Sequence, residues 1–263
     1  MDLQGKNVVI TGASSGIGLA FLKQILKMDC TVVACARNVE NFPVQSEKLF
    51  LWKCDVSRKE EVDAFFDFAV EKLNRIDLFF ANAGYAYYEK LGEPDWEHIE
   101  RIFATDFESV VYQAQKMKAH RGAEPYNFLV TASAMGLLSL PGYALYSGAK
   151  AALRGFADAY RYELGRGQYF EVLYPIATKT KFFTRAAEGT PVPWPQQTPE
   201  AVARKAIRGV KRNRKHIFPS FAFRSMDILN RIFPFIFRIY VADSNKKYQK
   251  WLMGTGVSDT LKH

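Results

Sequence analysis

Along the 263-residue chain, short apolar and β-branched runs alternate with longer stretches whose apolar residues recur at helical spacing. Asn7–Thr11, Thr31–Ala36, Leu49–Lys53, Asp77–Ala81, Phe128–Ala132 and Glu171–Tyr174 read as strands. Ile17–Met28, Lys59–Leu73, Trp96–His120 and Ala149–Leu164 read as helices between them. The first two strands and the last three are apolar almost throughout, as expected where both faces of a sheet are covered. Ile217–Phe218 is the candidate for a seventh strand. The alternation predicts an α/β chain built on one doubly wound, mostly parallel seven-stranded sheet with right-handed crossovers.

Composition narrows the class. With 48% hydrophobic residues the chain has material for a core, which excludes disorder as its general state. Cys30, Cys35 and Cys54 are an odd set with no C-x-x-C, so neither a disulfide framework nor a zinc site is expected, and no metal. Met1 to Lys6 run straight into the first strand without a signal-peptide pattern, and no apolar run is long enough to span a bilayer. These features lead us to expect reduced thiols and a cytoplasmic setting. The net charge of +9 is uneven: Arg204 to Lys250 hold 13 Lys/Arg against two Asp/Glu, leaving the remainder slightly acidic. Charge confined to one segment, among Phe, Ile and Leu, argues against nucleic acid as a partner.

Chemistry starts after the first strand, at Thr11-Gly12-Ala13-Ser14-Ser15-Gly16-Ile17-Gly18. Glycines at a strand-to-helix turn let backbone approach a pyrophosphate, and the helix start adds N–H donors and a positive dipole. Gly12, Ser14, Ser15, Gly16, Ile17 and Gly18 are therefore candidate dinucleotide contacts; without a following Gly-Lys-Ser/Thr this is no P-loop. Further along come Cys54-Asp55-Val56, Asn82-Ala83-Gly84, Ser133 and, 13 residues later, Tyr146-Ser147-Gly148-Ala149-Lys150. The spacing G-x-x-x-G-x-G, the N-A-G triplet and Y-x-x-x-K, in this order from about Lys6 to Thr180, resemble the short-chain dehydrogenase/reductase family.

That resemblance implies a single Rossmann-fold unit over 1–263, with 1–180 binding cofactor and performing catalysis and 181–263 forming a substrate lid and extension. It implies that Asp55 and Val56 contact adenine and that Asn82, Ala83 and Gly84 line the adenosine–ribose side. Pro175, Ile176, Thr178 and Thr180 would lie beside the nicotinamide. Ser133 would hold the substrate oxygen, Tyr146 would exchange a proton with it, and Lys150 would grip ribose and lower the tyrosine pKa. Tyr146 and Lys150 are four residues apart and so share a helix face. A homo-oligomer, dimer or tetramer, is implied through the two long helices Trp96–His120 and Ala149–Leu164.

Two positions depart from the family pattern. Asp106 stands where an Asn completes the usual tetrad, either pairing with Lys150 or silent, and Ile176 replaces a glycine. After the second strand Ala36 occupies the place of an acidic residue that would bind the ribose hydroxyls of NAD, and Arg37 follows. A planar guanidinium there suits a 2′-phosphate, so NADP(H) is expected, with NAD(H) the alternative.

In the tail, Thr198-Pro199-Glu200 reads as an N-cap with proline in the first turn of a basic helix reaching Arg212. Arg224, Arg231 and Arg238 recur every seven residues within Phe221–Val241, two helical turns apart, and Pro234 should kink or divide that element. Two readings stand: a core-packing helix pair that lids the cleft, or an interfacial helix in peripheral contact with a membrane over 221–241. Both imply a hydrophobic or lipid-like substrate. The expected activity is an NADP(H)-dependent interconversion of a carbonyl and an alcohol, with Tyr146 as general acid/base. The alternative is a non-catalytic dinucleotide-binding sensor or scaffold, of which Asp106 and Ile176 would be early marks.

Overall fold

The computed structural model describes residues 1–254. Seven strands form one sheet: β1 (Asn7–Thr11), β2 (Thr31–Ala36), β3 (Leu49–Lys53), β4 (Leu78–Ala81), β5 (Tyr126–Thr131), β6 (Gln168–Leu173) and β7 (His216–Ile217). Their order is β3-β2-β1-β4-β5-β6-β7, and every pairing is parallel rather than merely most of them. The chain winds outward from β1 in one direction and from β4 in the other, so loops at the carboxyl ends diverge at that switch point and leave a crevice.

Strand periodicity sorts the core into two layers. Val9, Val33, Phe79, Phe128 and Phe170 point to the face covered by α2 (Lys59–Leu73), α4 (Ser109–Arg121) and α5 (Ala144–Tyr160). Val8, Ile10, Val32, Leu78 and Phe80 point to the other, under α1 (Gly16–Leu26) and α7 (Pro199–Lys211). Both sets are buried, which is why these strands read as continuous apolar runs. A third cluster lies apart from the sheet and joins Tyr88, Leu138, Tyr143 and Tyr146 to Phe183, Phe223 and Phe237.

The helices differ from expectation in four places. The stretch expected as one helix from Trp96 is α3 (Trp96–Phe103), a π-helical segment Ala104–Glu108, then α4. The helix expected from Ala149 begins at Ala144, after a turn in which Gly142 has φ +82° and an added Cβ would lie 2.3 Å from the Tyr88 ring. A short α6 (Phe182–Ala186) follows β6 unpredicted. Pro234 does divide the tail, into α8 (Phe221–Ile232) and α9 (Phe235–Gly254), but the second helix runs well beyond Val241. The proline ring cannot continue α8, and the Asn230 side chain bridges the break by accepting from the Phe237 N–H at 3.0 Å. Thr198 caps α7 through the Ala201 N–H, as its sequence suggested.

Candidate active site

At the carboxyl end of β1 the chain turns through Gly12 (φ +66°) and Gly16 (φ +56°), left-handed conformations that favour glycine. A Cβ on Gly12 would sit 2.8 Å from the Ala83 Cα, and one on Gly18 would sit 2.4 Å from the Gly12 carbonyl oxygen. The loop is thus folded back on the start of α1. Ser15 precedes that helix without its side chain capping the first turn. The amide of Asn82 donates to the Thr11 and Gly12 carbonyls at 3.3 and 3.2 Å, and its oxygen accepts from the Thr131 hydroxyl at 3.0 Å. Asn82 therefore stitches β1, β4 and β5 together and fixes the glycine loop.

A cavity of about 1120 Å³ runs from this loop across the carboxyl ends of the strands to the tail helices. Gly12, Ser14, Ser15, Gly16 and Ile17 line one end, with Arg37, Asp55 and Val56 along the same side. Asn82, Ala83, Gly84, Ser133, Tyr146, Lys150, Pro175, Ile176, Thr178 and Thr180 line its middle. Of the predicted site residues only Gly18 and Asp106 stand behind the wall. Gly18 serves loop packing and Asp106 contacts Lys150. Arg37 is exposed and makes no ion pair among the described residues.

The polar centre is built from three elements. Ser133 follows β5 and Lys150 rises from α5, whose first turn carries Tyr146. The Lys150 ammonium donates to the Thr131 carbonyl at 3.1 Å and lies 3.2 Å from an Asp106 carboxylate oxygen. The other Asp106 oxygen accepts from the Tyr85 N–H at 3.0 Å. Asp106 is fully buried, inside the π-helical segment that separates α3 from α4. Single π-helical turns inside α-helices are frequent at functional sites. Gly84 makes room for the pair, since a Cβ there would be 3.0 Å from Asp106 and 3.3 Å from Lys150. Of the two readings for Asp106, the ion pair is the observed one.

The resemblance implies a lowered Tyr146 pKa once Lys150 and a positively charged nicotinamide both stand beside the ring. From the protein's own groups, burial pushes the Tyr146 phenol up, the Asp106 carboxylate pushes it further, and a hydrogen bond with Ser133 pulls it back. The ammonium stands 5.6 Å from the Tyr146 ring centre, and its charge is partly balanced by Asp106. Burial likewise raises the Asp106 carboxyl, against the pull of Lys150 and the Tyr85 N–H.

The apolar end of the cavity lies where a lid from 181–263 was expected, but none of its lining residues was named beforehand. Tyr85 and Tyr87 from the loop after β4, Phe182 from α6, Met226 from α8, Tyr240 from α9 and Trp194 line it. The Tyr240 hydroxyl ties the two segments by donating to the Trp194 carbonyl at 3.0 Å. For Tyr85 and Tyr87, which stand outside 181–263, the available signal was the aromatic run Tyr85-Ala86-Tyr87-Tyr88 directly after the N-A-G triplet.

Residues 6–190 match the family model described as short chain dehydrogenase, and the chain belongs to that family. It is 27% identical over 237 residues to the 3-dehydrosphinganine reductase of Danio rerio, covering 80% of this chain and 70% of that protein. Two solved structures share the fold. A short-chain dehydrogenase/reductase from Burkholderia phymatum in complex with NAD superposes with a TM-score of 0.76 at 22% identity, over 88% of this chain and 95% of that one. A short-chain dehydrogenase from Burkholderia cenocepacia in complex with NADP gives 0.77 at 18% identity, over 88% and 94%.

Proposed function

We propose that this protein is an NADP(H)-dependent oxidoreductase that interconverts a carbonyl and an alcohol on a hydrophobic, lipid-like substrate. The observation that carries the reading is the convergence of Ser133, Tyr146 and Lys150 midway along one cavity, between a glycine loop and an apolar, aromatic chamber. The cleft fits a dinucleotide: Gly12 and Gly18 leave no space for a Cβ, the first turn of α1 is uncapped by Ser15, and Arg37 is free at the rim among the described residues. When bound, a nicotinamide cofactor supplies or accepts the hydride.

The chain's own residues do the rest. Ser133 and Tyr146 present their hydroxyls to the substrate oxygen, which fixes the reacting carbon in place. In the reducing direction the Tyr146 hydroxyl gives its proton to that oxygen, and in the oxidising direction it takes one back. Lys150, positioned by Asp106 and Thr131, stabilises the negative charge left on the tyrosine and offers its ammonium to the ribose hydroxyls. Asp55, Val56, Asn82, Ala83 and Gly84 hold the adenosine half. Pro175, Ile176, Thr178 and Thr180 shape the nicotinamide end, with α6, α8 and α9 as a lid over the substrate. The name of the Danio rerio relative, 3-dehydrosphinganine reductase, supports the substrate class.

Arg37 supports NADP(H) over NAD(H). Steady-state kinetics with both cofactors on a panel of long-chain ketones and aldehydes test both parts. We expect turnover with NADPH preferred, and Arg37→Ala should raise KM for NADPH by roughly tenfold or more while KM for NADH stays nearly constant. An NAD preference that survives Arg37→Ala refutes the cofactor assignment. Tight cofactor binding with no turnover on any substrate would favour the sensor or scaffold reading.

A further inference from the structure

The tail helices carry an apolar face that the fold does not use. In α8, Phe223 and Asp227 are buried, whereas Phe221, Ile228, Leu229 and Ile232 are exposed, up to 83% for Phe221. At 100° per residue the exposed four fall on one side of the helix and Phe223 and Asp227 on the other. The same division continues past Pro234. Phe237 and Leu252 of α9 are buried, while Phe235 and Ile239 are 57% and 68% exposed. Lone exposed apolar residues are ordinary, but six large ones on two successive helices form a patch that needs an occupant.

The charges around the patch identify the occupant's chemistry. Arg224 and Arg231 lie together along one edge of the exposed apolar arc of α8, Arg231 paired with Asp227 at 2.9 Å, and Arg238, Lys246 and Lys250 stand exposed on α9. A second copy of the chain docked face to face would bring these cations against one another. An anionic bilayer satisfies both features, with apolar side chains below the headgroups and guanidinium groups at phosphate level. The patch also adjoins the cavity. Ala222, Phe223 and Met226 of α8 line it, and Trp194, on the cavity wall, is 75% exposed.

We propose that the exposed face of α8 and α9 is a docking surface for an anionic lipid bilayer, and that it sets the apolar mouth of the cavity against the lipid. No helix among the described residues is long and apolar enough to cross a membrane, so the contact is peripheral. The proposal goes beyond the oxidoreductase reading, because membrane binding is measured without cofactor or turnover.

The test is flotation of the full chain with vesicles of phosphatidylcholine alone or with roughly one-third phosphatidylglycerol, at low and high salt. The wild type should partition on the order of tenfold more strongly onto the anionic vesicles at low salt, and high salt should weaken this. Ile232→Asp with Ile239→Asp should cut partitioning on the order of tenfold or more, with thermal stability and circular dichroism unchanged because both side chains face outward. Arg224→Glu with Arg238→Glu should abolish the anionic preference. The proposal is overturned if the wild type does not float, if the aspartate variant floats equally, or if charge reversal leaves the preference intact. It is also overturned if the wild type ignores vesicles but the aspartate pair halves its solution mass, which assigns the face to a second copy.

Discussion

Lys150 is gripped from two sides, by the Thr131 carbonyl and the Asp106 carboxylate, before any ligand is considered. An uncharged Asn at position 106 would leave the ammonium's charge whole for Tyr146, whereas the carboxylate offsets part of it and itself disfavours the phenolate. The sign is therefore definite. Asp106→Asn should move the tyrosine-dependent limb of the pH–rate profile to lower pH, so oxidation gains its phenolate earlier and reduction loses its proton donor earlier as pH rises. A merely structural role would lower kcat at all pH values without moving the limb. The Asp106 position was readable as a departure from a family pattern. The pair with Lys150 was one of two readings the sequence left open, and the structure decides for it, with Asp106 carried on the π-helical segment Ala104–Glu108.

At the scale of elements, β6 carries a cost of its own. Glu171 is fully buried in the sheet, and burial pushes its carboxyl up to about 8 against the pull of Asn127, the N-terminus and Arg161. The unfolded chain ionises this group near the ordinary glutamate value of 4.5, so the unfolded state sheds the proton first and the fold loses stability as pH rises from there toward 8. Glu171→Gln should match the wild type near the lower limit and exceed it by roughly 2–4 kcal/mol near the upper, as read by urea melts at a series of pH values. A gap that does not change with pH would contradict this. Strands such as β1 and β4 were legible because both their faces are covered, which leaves an unbroken apolar run. α6 was not, since five residues give no helical period, and the insertion at Ala104–Glu108 shifts the pattern too little to see in the sequence. Ser133, Tyr146 and Lys150 could be named because they fall on motifs of the family the sequence resembles, and all three line one cavity. The segment 181–263 was expected to lid the cleft, but which of its side chains face inward, Met226, Trp194 and Tyr240 among them, is set by tertiary packing.

The whole molecule divides its labours between a near-neutral sheet that holds the polar centre and a basic, aromatic tail that closes over it. The outer face of α5 bears Ala144, Gly148, Ala151 and Gly155, all exposed, and a Cβ on Gly155 would meet nothing within 4 Å. Small residues permit close helix approach, in keeping with the dimer or tetramer that family resemblance implies through this helix and α4. Light scattering on a sizing column should then give two or four times the chain mass, and Gly155→Arg should reduce it without lowering the melting temperature. A wild type that elutes as a single chain would contradict that assembly.

Whether Tyr146 exchanges the proton while the cofactor handles the hydride is decided by one comparison. NADPH consumption on a long-chain ketone is followed for the wild type and Tyr146→Phe, with NADPH affinity measured in parallel by fluorescence. Tyr146→Phe should lose roughly 10²–10⁴-fold in kcat with cofactor affinity retained. A variant that turns over at the wild-type rate would contradict it.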